Sequence, residues 1–315
     1  MIRTFLFLSL SIQIALVAAE PYKPKRINKA IELLEQGQPV YYTATSGGGY
    51  EEGRKLAKTW ADYINYEMEH GVFDLSQLRE FMRGLGKGGP TKSGHRTPAV
   101  IVTLPVIGLN KSYMQANSWV VQQVLACGVH GILLCHARDP EAVREFVRAT
   151  RYPFHKQAVP DGLEEGLRGS GSQGYAAQMW GIPADEYLQR ADPWPLNPKG
   201  EILLGLKIED RYALENAEKT TKIPGIGFAE WGPGDMGFSF GLLKAHDPPY
   251  PPVMAQARAR VLAACKSAKI AFLNTVRESG GDDVVKMIQE GVRIGSGSQA
   301  AAEKGRRYTK REMPW

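Results

Sequence analysis

The sequence predicts an α/β chain folded as a closed (β/α)8 TIM barrel, and three observations lead there. Short runs rich in Val, Ile and Leu alternate with longer stretches of helical period, the rhythm of βαβ units around a parallel sheet. About eight such runs lie between Val40 and Gly297, nearly every one followed by a helical stretch, which fits a closed barrel better than an open sheet. The chain has 315 residues, enough for one barrel of roughly 250 residues, and no domain linker or internal repeat interrupts it.

Taken in order, Val40-Tyr-Tyr-Thr-Ala-Thr45 is the first strand, stopped by Gly47-Gly-Gly49, and Glu51 to Trp60 reads as a helix. Ile64 to His70 is the second strand. Asp74 then caps a helix with Leu75, Leu78 and Met82 on one face. Ala99 to Pro105 is the third strand, followed by a helix over Tyr113 to Ala126. Gly131 to His136 is the fourth, with a helix over Pro140 to Thr150. Residues 152–200 are rich in Gly and Pro, with a short helix near Tyr175; loops this long inside a compact domain are often functional. Ile202 to Glu209 is the fifth strand and Arg211 to Lys219 its helix. Ile226 to Glu230 is the sixth, running into Trp231-Gly-Pro-Gly-Asp235. A helix over Val253 to Ser267, a strand over Ile270 to Asn274, a helix over Asp282 to Glu290 and a last strand from Val292 to Ile294 complete the set.

Composition is ordinary for a globular chain, with 43% hydrophobic and 23% charged residues. The net charge is +6, but the charges are interspersed, and only Lys304 to Arg311 is densely basic. That stretch reads as a solvated basic tail, and nothing else supports a nucleic-acid partner. Arg3, the apolar run Phe5 to Val17 and the small residues before Glu20 read as an export signal cleaved near Ala19. The expected organisation is therefore a signal peptide over 1–19, a barrel over 20–298 and a basic helix or tail over 299–315. The mature chain would be exported, periplasmic or extracellular, with no membrane attachment. The three cysteines, Cys127, Cys135 and Cys265, all fall in apolar stretches without CxxC spacing and predict no disulfide framework.

In such a barrel the reactive groups sit at the C-terminal strand ends. His70, Thr103, Glu209, Asp235 and Ser296 fall there. Glu209 and Asp235 belong to consecutive units and would converge over the mouth. Two converging carboxylates repel unless a proton or cation lies between them, and carboxylates plus waters are a common cradle for Mg²⁺. A surface Glu and a helix-capping Asp is the other reading of the same pair. Gly232-Pro233-Gly234 brings backbone close to whatever the cation carries. Lys207, two residues before Glu209, shares its face, as a structural ion-pair partner or as a binder of an anionic substrate. His136, Tyr175 and the pair His95-Arg96 could also reach the mouth, or could simply pack.

Several ordered motifs now become informative together: Glu67-Met-Glu-His-Gly71 with Phe73-Asp74, Val147-Arg-Ala-Thr-Arg-Tyr-Pro153, Gly166-Leu-Arg-Gly-Ser-Gly-Ser172, Lys207-Ile-Glu-Asp-Arg211 and Gly232-Pro-Gly-Asp235. Over roughly residues 28–298 the chain resembles the HpcH/HpaI aldolase/citrate lyase family, most closely its metal-dependent 2-keto-3-deoxy-sugar-acid aldolases. The resemblance implies a barrel of the phosphoenolpyruvate/pyruvate type. It also implies a class II aldolase that cleaves a 4-hydroxy-2-oxo acid to pyruvate and an aldehyde. Glu209 and Asp235 match the ligands of a divalent cation, Mg²⁺, Mn²⁺ or Co²⁺, that as a Lewis acid stabilises the enolate. His70 matches a histidine that assists proton transfer, and Gly232, Pro233 and Gly234 match the segment approaching the pyruvate carboxylate. A homo-oligomer, typically a hexamer, is implied as well.

Three departures from the family pattern stand out. Thr103 occupies the place of an arginine that stabilises the enolate, a loss that can cost about 3 kcal/mol of barrier or more. Asn117 replaces the aspartate partner of the histidine, and Lys207 replaces a glutamine. A cation has left one wall of the expected site and another has appeared nearby, so Lys207 is expected to compensate in part. The same departures admit a different metal-dependent carbon–carbon lyase or decarboxylase of a 2-oxo or dicarboxylic acid. They also admit an exported 2-oxo-acid-binding protein without turnover.

Overall fold

The computed structural model describes residues 22–275 and 284–315. The expected export signal over 1–19 lies outside these residues, as do the first two positions of the helix expected from Asp282. The strands are β1 (Val40–Thr45), β2 (Tyr63–Glu67), β3 (Ala99–Ile107), β4 (Gly131–Cys135), β5 (Pro193–Trp194), β6 (Ile202–Ile208), β7 (Phe228–Trp231), β8 (Ala271–Leu273) and β9 (Val292–Ser296). All pairings are parallel. β1 to β4 are hydrogen-bonded in sequence, β4 pairs with β6, β6 to β9 follow, and β9 returns to β1. Eight strands thus close a barrel, while the two-residue β5 pairs only with the start of β6.

Alternation along each strand divides the interior into layers. At the N-terminal end, Val40, Tyr63, Ala99, Ile101, Leu133, Leu203, Phe228 and Ile294 form one buried cluster. Gly205 leaves room for the Phe228 ring, since a Cβ there would lie 2.1 Å from its Cζ. The helix Lys29–Glu35 contributes Ala30, Ile31 and Leu33 to the same cluster and so plugs this end of the barrel. Its cap, Asn28, accepts from the N–H groups of Ala30 and Ile31 and donates to the His130 carbonyl at 2.9 Å. Two residues further along the same faces, the inward side chains become polar: Asn65, Thr103, Cys135, Lys207 and Glu230.

The outer layer follows the amphipathic pattern. Asp74 accepts from the Gln77 N–H at 3.0 Å, and the helix Leu75–Lys87 buries Leu78, Phe81, Met82 and Leu85. Two expected helices are broken at asparagines. The stretch 113–126 divides at Asn117, whose side-chain amide donates to the Tyr113 carbonyl at 2.8 Å, into Lys111–Ala116 and Ser118–Ala126. The stretch 211–219 divides at Asn216, which donates to the Arg138 carbonyl at 2.8 Å. At Asn117 the short amide competes with the helical backbone, whereas at Asn216 it ties the break to the loop after β4. The second strand stops at Glu67 rather than His70, because the Glu67 carboxylate accepts the N–H groups of Glu69 and His70 and turns the chain. Residues 152–200 hold two helices, Gln173–Trp180 and Ala184–Arg190.

The basic C-terminal segment is not a solvated tail. It forms a helix over Gln299–Tyr308, and Arg306 and Arg311 are only 1% and 8% exposed, because both reach the buried Asp62 carboxylate. Cys127, Cys135 and Cys265 are buried and unpaired. Among the described residues no helix is long and apolar enough to cross a membrane.

Candidate active site at the C-terminal mouth of the barrel

β6 delivers the central groups. Lys207 lies on its inward face and Glu209 follows its last residue; both are buried. The Lys207 ammonium is ion-paired to Glu69, from the turn after β2, and lies 2.8 Å from Glu209 Oε2. Glu230 of β7 joins the same electrostatic cluster. The turn after β7 brings Gly232 directly against Glu209: a Cβ on Gly232 would lie 2.7 Å from Glu209 Cβ and 2.9 Å from Oε2. Pro233 then starts a seven-residue helix, Pro233–Ser239, that carries Asp235 in its first turn. Lys207, Glu209, Glu230, Gly232, Pro233, Gly234 and Asp235 line one cavity of about 150 Å³, closed on its other side by His246, Tyr250 and Thr275.

Three carboxylates around one ammonium set the electrostatics. Burial pushes Glu209 up, against the pull of Lys207. Burial also pushes Glu230 up to about 7, with Glu209 and Glu69 adding to the shift. Burial would raise Glu69 too, but the contact with Lys207 outweighs it and holds that carboxyl below its ordinary range. Lys207 is held above its ordinary value in spite of burial, because Glu230, Glu209 and Glu69 all face it. The cluster remains short of positive charge.

His136 stands beside it in the left-handed region, at φ 43, an uncommon conformation for a residue with a Cβ. Its backbone N–H donates to Glu209 Oε1 at 3.1 Å, and its Nδ1 is 2.8 Å from Asp210 Oδ2. Its Nε2 points between Glu69 and Glu209, 3.7 and 3.8 Å away. The hydrogen bond to Asp210 raises the imidazole against the effect of burial. Burial opposes ionisation of Asp210, yet hydrogen bonds from His136, the Ala213 N–H and Arg138 hold it down at about 2.

Six of the residues singled out in the sequence therefore share the cavity: Lys207, Glu209, Gly232, Pro233, Gly234 and Asp235. Three do not line it. Thr103 is buried and its hydroxyl donates to Asn65 Oδ1 at 2.8 Å, so it fills the barrel interior and presents no charge. His70 is largely exposed at the rim, 3.5 Å from Glu69. Asn117 spends its amide on the helix junction, and no hydrogen bond among the described residues joins it to His70. Tyr175 packs under Arg79 and donates to the Arg79 carbonyl. His95 is buried against Glu32, in the helix that plugs the other end of the barrel, and Arg96 donates to the Met179 carbonyl. Glu69, Glu230, Cys135, His136 and Asp210 complete the site. Each of the five ends a strand, follows one within two residues or, for Glu230, stands one residue before its end, the signal that also marks Glu209.

A family model described as HpcH/HpaI aldolase/citrate lyase matches residues 91–301, two thirds of the sequence. The chain belongs to that family. Among relatives, it is 31% identical over 146 residues to a hydroxypyruvate/pyruvate aldolase of Deinococcus radiodurans, covering 46% of this chain and 43% of that one. It is 30% identical over 156 residues to a 2-keto-3-deoxy-L-rhamnonate aldolase of Klebsiella pneumoniae, covering 49% and 52%. The chain thus spans about half the length of the relatives it matches. An HpcH/HpaI family protein of Burkholderia cenocepacia has the same fold, with a TM-score of 0.66 at 22% identity over 90% of this chain and 97% of that one.

HpcH/HpaI proteins are divalent-metal dependent, and the donor set here is compatible with such a cation. Glu209 Oε2 is buried and accepts no hydrogen bond of normal geometry among the described residues, although the ammonium is near. Glu69, Cys135 and Glu209 also place ligand atoms within 4.8 Å of one another. That trio is the poorer cradle for the ion. Lys207 already serves two of its members, and burial pushes the Cys135 thiol well above its ordinary value. Glu209 and Asp235 line the same cavity, where a hard cation would supply the missing positive charge.

Proposed function

We propose that the chain is a carbon–carbon lyase that reversibly cleaves a 4-hydroxy-2-oxo acid to pyruvate and an aldehyde with a divalent metal held by Glu209 and Asp235. The observation that carries this reading is the meeting of both carboxylates with the Gly232-Pro233-Gly234 backbone in one small cavity of an HpcH/HpaI barrel. When bound there, Mg²⁺, Mn²⁺ or Co²⁺ supplies Lewis-acid stabilisation of the negative charge that develops on the 2-oxo oxygen as the carbon–carbon bond breaks. Lys207 contributes a fixed positive charge to the cavity wall, where Thr103 contributes none. Gly232, lacking a Cβ, lets the substrate carboxylate approach its backbone closely beside Glu209. The proton of the C4 hydroxyl passes to a histidine bordering Glu69: His70 on the solvent side or His136, oriented by Asp210, on the inner side.

Exchange of the pyruvate methyl protons in D₂O, followed by NMR with and without each metal, tests the reading. Metal-dependent exchange that disappears in Glu209→Ala is the expected result. Absence of exchange with every metal would overturn it. The second reading, a lyase or decarboxylase acting on a different 2-oxo or dicarboxylic acid, is favoured by one observation: Thr103 offers only a hydroxyl already bonded to Asn65. Release of CO₂ from oxaloacetate without pyruvate exchange would select it.

A further inference from the structure

The plugged end of the barrel is charged in the opposite sense to the mouth. Asp62, just before β2, is fully buried and meets three cations: Lys29 at 3.1 Å, Arg306 at 3.2 Å and Arg311 at 2.9 Å. All three are themselves at least nine-tenths buried. One carboxylate for three cations leaves two positive charges in excess, in a place where an unmatched charge is costly. The deficit extends to hydrogen bonding. Arg306 Nε, Arg311 Nε and Tyr41 Oη are buried without a hydrogen-bond partner among the described residues. Both guanidinium groups lie over the Tyr41 ring, at 5.5 and 5.6 Å, which tempers the excess without neutralising it.

Two members of this cluster, Lys29 and Arg306, line a cavity of about 450 Å³, three times the volume of the mouth cavity and within the range of small-molecule sites. Lys55, Lys58 and Lys92 add three more cations, against the side-chain acid Glu303, which is engaged by Gln299 and Arg307 on its own helix. The Lys58 ammonium donates to the Pro90 carbonyl and the Lys92 ammonium to a main-chain oxygen of Trp315, and each has further protons to give. Trp60 and Trp315 line the same space, and Arg306 lies 5.3 Å from the Trp315 ring centroid.

We propose that this cavity is a second binding site, for a small organic anion whose carboxylate or phosphate group meets Arg306, Lys58 and Lys92 while its apolar part packs on the tryptophans. Burial holds both the Lys29 ammonium and the Arg306 guanidinium below their ordinary values, an effect that a bound anion would offset. The site stands apart from the proposed reaction, since it shares no lining residue with the mouth cavity.

Calorimetric titration of the full chain, without added divalent metal and at fixed ionic strength, tests the site. AMP and inorganic phosphate form one arm, citrate and benzoate the other. We expect saturable binding from at least one arm, near one molecule per chain, and the arm that binds identifies the head group. In the double variant Lys58→Gln/Lys92→Gln, two exposed positions outside the mouth, affinity should fall roughly tenfold or more. It should be unchanged in Glu209→Gln. Absence of saturation by all four probes up to about 10 mM would overturn the proposal. So would equal affinity in the lysine double variant, or loss of binding in Glu209→Gln.

Discussion

The two ends of this barrel solve one problem, buried charge, in opposite ways. At the mouth, Glu69, Glu209 and Glu230 surround a single ammonium, and the carboxylates that lack a cation of their own are pushed towards their neutral forms. At the base, Lys29, Arg306 and Arg311 surround a single carboxylate, which they hold well below its ordinary range in spite of complete burial. A carboxylate can shed its charge by taking a proton near neutral pH; a guanidinium cannot. The acidic end can therefore stay poised without a ligand, whereas the basic end keeps its excess until an anion arrives. The lesson is that the sign of a charge surplus decides whether a site can wait.

The contrast can be broken at either end. The largest effect should come from Glu209→Gln, which removes a proposed ligand and the focus of the mouth. Metal-dependent pyruvate exchange should drop roughly a thousandfold, about 4 kcal/mol, while urea denaturation shows an intact fold. Asp62→Asn at the base should instead spare the chemistry and damage the fold. Three buried cations would lose the carboxylate they share, at a cost of about 3–5 kcal/mol in the same urea measurement.

A pH series separates the ends further. Near the base, Glu32 is buried, yet hydrogen bonds from His95, Tyr22 and the Arg26 N–H hold its carboxyl down at about 2, from an ordinary 4.5. A depressed folded value means that the stabilisation is complete above about pH 4.5 and is lost as pH falls towards 2. Unfolding free energy should decline by up to about 3 kcal/mol across that window, and Glu32→Gln should flatten the decline. The smallest effect sharpens the account of the mouth. Lys207→Gln should lower exchange roughly ten- to a hundredfold, since it removes the one fixed cation of the wall. Turnover equal to the parent protein would show that Lys207 only balances charge.

How much of each end could be read in the sequence follows from distance along the chain. The barrel itself was legible, because strand and helix periods are local. Glu209, Asp235 and the Gly232–Gly234 turn were legible as strand-end residues in ordered motifs, and Lys207 followed from its spacing of two. Glu230 satisfied the same strand-end rule but stood five residues before a more conspicuous aspartate. His136 and Asp210 lie 74 residues apart, so their pairing appears only when β4 and β6 are adjacent. The base was opaque for the same reason carried further. Asp62 and Arg311 are 249 residues apart, and in isolation the C-terminal arginines look like any solvated basic segment. That His70 lies at the rim and Asn117 at a helix junction follows from local events, a turn set by Glu67 and a helix break, that strand periodicity does not register.

The helix that plugs the barrel has a kinetic consequence. With Ala30, Ile31 and Leu33 filling the far end, reactants and products must share one doorway. In the proposed cleavage, the fragment held against Glu209 and the Gly232 backbone lies innermost, and the aldehyde lies between it and solvent. Departure is then a queue: aldehyde first, pyruvate last. In the synthetic direction the order of arrival reverses, and an aldehyde analogue should inhibit competitively against the aldehyde and uncompetitively against pyruvate.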